Sequence, residues 1–528
     1  MATSQVSSAS RQRTVRRFTR IRAAQLAVAL ATSLVCAATL SALLGSRGRS
    51  GFVWVNHDVA NILYLGKRML AGDRLYADLA EINPPGIFFV AEGITALAGW
   101  LRVSPVHVFH TCVVLLAVFG VWVIQCVYAH SSRASELTLS CAAFLLVLTG
   151  GGLPGEQGLT YSYGQREQWF ALVFLPYLLW RPSGQGLGGA SYVLCFFVGY
   201  LASLKPQFVI LVVALELCCL PKDRVLLRRS APVVAAGALL PYVLLVLHSP
   251  QSVVKFWTET IPLHTRGTYA YFDQPFGYFF GSRLQLAVLI YAAGIGYFLW
   301  SGAELSARAR RSVYVLLPLS YGLLLQQHKF WEYHAIVLIA LLVVLVYQLG
   351  AALIARLPSE RAWPLFVLLS VALAVQNWIS VSELRSMIGD WQQGLGVEAR
   401  LLKIAPLFAG RRRVLYYSTS IAHMRLALLL DQRVIGRFSH ELIYPSLVRD
   451  GDAQRRHRSL TRYCAEQKQL IESEKPEAVV FHALGQGLHG PEQELQPLLV
   501  EQCHVLSERE YREISTADVP EVSLFLRR

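Results

Sequence analysis

The sequence predicts a polytopic α-helical membrane protein that carries a small C-terminal α/β extracytoplasmic domain. Three observations predict it. Of the 528 residues, 54% are hydrophobic and 16% are charged, an apolar excess beyond that of a soluble domain. Basic residues gather in short runs between apolar stretches, as in "RQRTVRRFTRIR", "KDRVLLRR" and "RARR". That is the pattern of cytoplasmic loops rather than of a nucleic-acid-binding face, so no nucleic-acid partner is expected. After residue 380 the composition turns polar and alternating.

The first apolar run, 23–44, is about 22 residues, longer than the h-region of a secretion signal and sufficient to cross a bilayer. It reads as a retained signal-anchor, with residues 1–22 as a basic cytoplasmic N-terminus. Further apolar segments follow at 86–101, 105–128, 136–149, 168–180, 190–204, 206–220, 231–247, 284–300, 312–325, 334–355 and 362–380. Together they predict about 11–13 transmembrane helices, several shorter than the ~20 residues of a perpendicular crossing. The basic loops at 222–229, 308–311 and 356–361 are expected on the cytoplasmic side, which puts 250–283, 326–334 and everything after 380 outside. The same parity places 161–169 outside. Three segments separate it from Asp58, also outside, so one of them is broken, re-entrant or interfacial, or the parity fails there.

Beyond the last apolar segment, "VLYYSTS", "PEAVVFHAL" and "VSLFLRR" read as strands and "DAQRRHRSLTRYCAEQKQLIESEK" as a solvated helix. The domain division is therefore 1–22, a membrane domain over 23–380 with an external loop at 45–85, and a linker with its α/β domain over 381–528. The nine cysteines form no CxxC pair. Most lie in apolar runs; Cys464 and Cys503 lie in the polar tail and can pair if that tail is extracytoplasmic. Two acids fall within apolar segments, Glu92 and Glu216, and solvation at the cytoplasmic end accounts for Glu216. "GGGLPGEQG" lacks the GK[ST] ending of a phosphate-binding loop, which argues against a nucleotide-using enzyme.

The external loop contains "NHDVANILYLGKRMLAGDRLYADLAEINPPG" (56–86). Val59, Ile62, Leu63, Met69 and Leu70 fit a helical stripe, predicting a helix that lies along the membrane surface. Asp58 stands at its start, where a carboxylate either caps free backbone N–H groups or does chemistry. "NPPG" gives an extended lead-in to the next apolar helix, because each proline pushes its predecessor out of the α region.

On "HDVA" (57–60), "MLAGDRLYAD" (69–78) and "NPPG" (83–86), the loop resembles the first external loop of GT-C glycosyltransferases, the superfamily of protein O-mannosyltransferases and aminoarabinose transferases. "YGQREQWFALVFLPYLL" (163–179), "LKPQF" (204–208) and "QHKFWEYH" (327–334) resemble blocks of bacterial members. The resemblance implies an inverting transferase that takes a sugar from a polyprenyl-phosphate donor and passes it to a glycan, lipid or protein acceptor on the outer face of the cell's inner (plasma) membrane. In that reading Asp58 is the general base for the acceptor hydroxyl.

Loss of a lipid phosphate calls for cations. Lys67, Arg68 and Arg74 share the first loop, and Arg166, Lys205, Arg266 and Lys329 lie at inferred outer ends of helices; snorkelling to lipid headgroups is the alternative for each. Lys205 stands out because "ASLKPQFV" surrounds its ammonium with apolar neighbours. Glu167 falls where relatives carry a second acid, often Asp within a metal-holding DxD. The sequence has neither, so a divalent metal stays an open question and no other cofactor is indicated; a local Arg166–Glu167 pair ordering an exposed loop is the alternative. His264, His328 and His334 are candidates for hydrogen bonds to donor or acceptor, and His328 with Glu332 shares the i, i+4 spacing of a metal pair without the HExxH order. The rival reading is a secondary transporter or lipid flippase, which would show paired halves. The external loop and C-terminal domain are markedly asymmetric.

Overall fold

The structure is a computed structural model that describes residues 26–46, 53–128, 134–148, 163–183, 188–219, 224–263, 283–302, 307–327, 332–393, 402–408, 410–418, 423–436, 452–482, 495–516, 519 and 522–528. In chain order its helices are α1 (Leu26–Leu44), α2 (His57–Leu70), α3 (Gly86–Leu101), α4 (Pro105–Tyr128), α5 (Ala134–Leu148), α6 (Arg166–Trp180) and α7 (Gly189–Ala202). There follow α8 (Pro206–Cys219), α9 (Arg224–His248), α10 (Pro250–Lys255), α11 (Arg283–Trp300), α12 (Ala307–Gln326), α13 (Ile336–Ile354) and α14 (Ser359–Gln393). The remainder is β1 (Arg413–Tyr417), α15 (Met424–Leu429), β2 (Arg433–Val434), α16 (Ala453–Glu474), β3 (Ala478–His482), β4 (Tyr511–Ile514) and β5 (Val522–Arg527).

The chain divides into two compact units. One comprises Met1–Leu43, Phe109–Pro241 and Gln274–Met387; the other comprises Leu44–Val108, Tyr242–Asp273 and Ile388–Arg528. Residues 45–85 and the C-terminal domain thus fall in one unit, although more than three hundred residues separate them in sequence.

Each apolar segment of the sequence is a helix, because a backbone surrounded by hydrocarbon must satisfy its own N–H and C=O groups. In the first unit α13 is the buried hub, with 89% of its apolar window inside the protein, packed against α5, α6, α11 and α12. In α14 only 19% of the apolar window is buried, and Leu368, Val371 and Val375 point outward, as a lipid-facing helix requires. Gly199 lets α7 approach α9 closely, since a Cβ there would collide with the Val234 carbonyl oxygen. The chain is a multi-pass membrane protein.

Two expectations change. The segments between Asp58 and the 161–169 block are the unbroken helices α3, α4 and α5, so the odd count is not explained by a break. At 16 and 15 residues, α3 and α5 are the short ones, about 24 Å long against a hydrocarbon core of about 30 Å. The last apolar helix also runs to Gln393 rather than ending near 380. Glu, Leu, Arg and Met in "SELRSM" are good helix formers and carry α14 past the end of its hydrocarbon stretch.

The second unit is built on a five-stranded sheet of order β2-β1-β3-β5-β4, with β1 parallel to β2 and β3, and β5 antiparallel to β3 and β4. The strands read in "VLYYSTS", "PEAVVFHAL" and "VSLFLRR" are β1, β3 and β5, each shorter at an end than the stretch read or shifted by a residue. Because β1 and β3 alternate side chains while both faces are covered, their residues are buried almost throughout. On one face Tyr417 stacks on Phe481 at 4.9 Å and donates its hydroxyl to Gln467 of α16. Tyr463, Ile471, Leu499 and Phe525 complete that core, and Cys464 and Cys503 form a disulfide beside it. On the other face Tyr416 stacks on His423, the residue that precedes α15.

The helix expected on the membrane surface is instead largely buried. α2 packs on α3 so closely that a Cβ on Gly66 would lie 2.5 Å from the Ala91 carbonyl carbon. It also contacts α15 and β2 of the C-terminal domain. Its apolar stripe is therefore matched by protein on more than one side.

Candidate functional site

Two groups of polar side chains stand out, one in each unit. In the first loop Asn56 is the N-cap of α2: its backbone is extended and its side-chain oxygen accepts the N–H of Asp58 at 2.8 Å. Asp58 therefore lies in the first turn without serving as the cap, its side chain 23% exposed and its Oδ1 3.9 Å from His57 Nε2. The structural account of this acid offered by spacing is answered by Asn56. A carboxylate in the first helical turn is still favoured by the free N–H groups around it.

Glu81, which sequence reading passed over, organises the lead-in to α3. It is buried; one oxygen accepts the Asn61 amide at 3.1 Å, the other the N–H of Ile82 at 2.7 Å and the amide of Asn83 at 3.0 Å. Tyr76 donates its hydroxyl to the Asn83 carbonyl at 2.5 Å. The signal was present as an acid two residues before the "NPPG" motif, but an acid in a loop reads as solvated until the fold buries it.

The three loop cations proposed for a donor phosphate are engaged within the unit. Lys67 pairs with Asp431. Arg68 pairs with Asp73 and donates to the Tyr64 hydroxyl and the Val434 carbonyl, both at 3.0 Å. Arg74 grips Asp78 at 2.8 and 2.9 Å and reaches Gln251 at 3.1 Å; those hydrogen bonds hold the Asp78 carboxyl down to about 2. Lys67, Arg68 and Arg74 thus each have an acidic partner within their own unit.

In the membrane-spanning unit, three blocks that sequence analysis flagged separately converge. Glu167, in the first turn of α6, forms an ion pair with Lys205, which immediately precedes α8. His334, just before α13, places Nε2 4.0 Å from the same Glu167 oxygen. Glu167, Lys205 and His334 side chains are 2%, 11% and 4% exposed, and Arg166 is buried as well. The alternative of an exposed Arg166–Glu167 pair is thereby corrected: both residues are interior. The other Glu167 oxygen accepts no hydrogen bond among the described residues.

Gln168 explains how this turn is held. Its side chain accepts the Gly164 N–H at 2.7 Å and donates to the Val147 and Leu148 carbonyls at 2.9 and 2.8 Å. It thereby satisfies carbonyls that the end of α5 leaves without intrahelical partners. Ring contacts of Tyr163 with His110 and of Trp169 with Phe109 seat the same turn on α4.

Elsewhere in this unit, Arg181 is fully buried and bound by Glu216 at 2.9 Å, with Tyr177 donating to the same carboxylate. Glu216 is thus a partner in a buried network rather than a solvated residue. His264, Arg266, His328 and Lys329 lie outside the described residues. Among the described residues no three His, Cys, Asp or Glu side chains converge as metal ligands would.

The fold is similar to that of solved GT-C membrane glycosyltransferases. ArnT from Cupriavidus metallidurans in the apo state is similar over 94% of this chain and 98% of its own, with a TM-score of 0.58 and 12% identity. The structure of that protein bound to undecaprenyl phosphate matches over 95% and 97%, with a TM-score of 0.56 and 12% identity. Archaeal oligosaccharyltransferase AglB from Archaeoglobus fulgidus, in complex with an inhibitory peptide and a dolichol-phosphate, matches over 96% of this chain and 74% of its own at a TM-score of 0.50 and 10% identity. No family model and no curated protein matches the chain.

Proposed function

We propose that the chain is an inverting glycosyltransferase that moves a sugar from a polyprenyl-phosphate donor to an acceptor hydroxyl on the outer face of the inner membrane. The observation that carries this reading is the fold likeness to ArnT along nearly the full length of both chains, at 94% and 98%. In the proposed reaction the acceptor oxygen attacks the anomeric carbon. The bond from that carbon to the phosphate oxygen breaks, polyprenyl phosphate leaves, and the acceptor proton passes to Asp58. Undecaprenyl phosphate, bound in one ArnT structure, has the chemistry of such a leaving group.

Arg166 and Lys205 are assigned to the departing phosphate. Lys205 is a buried cation held by Glu167, Arg166 is buried one residue before that acid, and in a low-dielectric interior a fixed cation acts strongly on an anion. Glu167 holds Lys205 in place, and His334 is assigned a hydrogen bond to donor or acceptor. His264, Arg266, His328 and Lys329 are assigned to the substrates on sequence grounds. Lys67, Arg68 and Arg74 are assigned to loop architecture instead.

The test is transfer by the purified protein in lipid nanodiscs, with a panel of polyprenyl-phosphate sugars carrying labelled sugar, with and without a chelator. Release of label from at least one donor is expected. Passage of intact labelled donor across a proteoliposome bilayer without sugar release would overturn the enzyme reading in favour of a flippase.

A further inference from the structure

Arg425, in the short helix α15 of the C-terminal domain, is fully buried. Its guanidinium lies 5.2 Å from the centre of the Trp391 ring, and its Nε–H donates to the carbonyl of Val55. Val55 is 370 residues away in sequence and directly precedes Asn56, the cap of α2. The segment is fixed from a second direction, since the N–H of Trp54 donates to the Ser46 hydroxyl at 2.9 Å, and Val53, Trp54 and Val55 are all buried. At its other end α2 is held by the same domain: Val434 of β2 donates its N–H to the Tyr64 hydroxyl at 2.7 Å and accepts from Arg68.

We propose that Arg425 is a positioning residue for Asp58, by which the C-terminal domain sets the place of the α2 N-terminus and thus of the carboxylate in its first turn. This rests on Asp58 being the base. The physical reason for arginine is that its charged group lies over the Trp391 ring while its Nε–H reaches the Val55 carbonyl, so ring and carbonyl together fix one orientation. A base must stand within hydrogen-bond reach of the proton it takes. A displacement of about 1 Å is enough to cost about 100-fold in rate. Without Arg425 the loop is present but its acid is no longer held.

The test compares full-length wild type, Arg425→Ala and Arg425→Lys, each with and without Asp58→Asn, by hydrogen–deuterium exchange and by sugar transfer. Exchange over residues 53–60 should speed up in Arg425→Ala while β1 and β3 keep their protection, and Arg425→Lys, which retains charge and a donor, should lie between. The kcat of Arg425→Ala should fall about 10–100-fold with the donor KM unchanged. In the Asp58→Asn background the same change should lower the residual rate no further. Unchanged exchange at 53–60, or a rate loss that adds fully to that of Asp58→Asn, would overturn the proposal. Wild-type turnover by Asp58→Asn alone would overturn the base assignment beneath it, while the exchange result still reports whether Arg425 holds the segment.

Discussion

The N–H of Asp58 donates to the side-chain oxygen of Asn56 at 2.8 Å, so the cap of α2 is the asparagine and not the acid two residues later. The capping duty at this helix start thus belongs to Asn56. Asn56→Ala should cost about 1 kcal/mol of stability, whereas Asp58→Asn should change it by less than about 0.5 kcal/mol. Thermal unfolding of both variants in the same detergent checks this; a larger loss for Asp58→Asn would return the acid to a structural role.

Glu167 and Lys205 face each other in the protein interior, where neither can turn to water. Lys205→Met should destabilise by about 3–5 kcal/mol, because it leaves a buried carboxylate without its counter-charge. The Glu167→Gln, Lys205→Met pair should be more stable than the sum of the single losses. A double-mutant cycle read by unfolding measures that coupling.

Between α2 and the C-terminal domain, the visible ion pair and the visible hydrogen bond should differ in weight. Lys67 and Asp431 are 39% and 64% exposed, so Lys67→Ala should cost under about 1 kcal/mol. The Tyr64 hydroxyl is buried and accepts the Val434 N–H. Tyr64→Phe strands that donor and should cost about 1–3 kcal/mol. Hydrogen exchange at β2 distinguishes the two variants.

In the C-terminal domain, His482 Nδ1 lies 3.1 Å from the Ser418 hydroxyl, and burial pushes the imidazole down from 6.5 to about 4. Above pH 6.5 both folded and unfolded states hold it neutral. As pH falls from 6.5 towards 4, the unfolded state takes a proton that the folded state refuses, so stability is lost across that window and the loss levels off below it. The loss should approach about 3 kcal/mol. His482→Gln should flatten this part of the pH–stability curve, measured by thermal unfolding of the full chain.

Much of this was readable in the sequence. The apolar runs mark the membrane helices because hydrocarbon length and helix rise are fixed quantities, and β1, β3, β5 and α16 fall on the segments with strand or helix character. The two-residue β2 is too short to show a period, and β4 exposes its middle residues. Arg166, Glu167, Lys205 and His334 were identified one by one, but that Lys205 and His334 both approach Glu167 is a tertiary fact. The partners of the loop cations were hidden because charge in a loop looks the same in sequence whether or not the fold gives it one: Lys67 meets Asp431 and Arg68 meets Val434 across more than 360 residues of sequence. Gln168 and Arg425 gave no sequence signal for a related reason, since their bonds run to backbone carbonyls that carry no side-chain signature.

The central claim is that Asp58 accepts the acceptor's proton. It is tested most directly by single-turnover sugar transfer from a labelled polyprenyl-phosphate donor, comparing wild type with Asp58→Asn after both show the same unfolding temperature. The account predicts a loss of at least about 100-fold with donor binding retained. Equal turnover by the two proteins would contradict it.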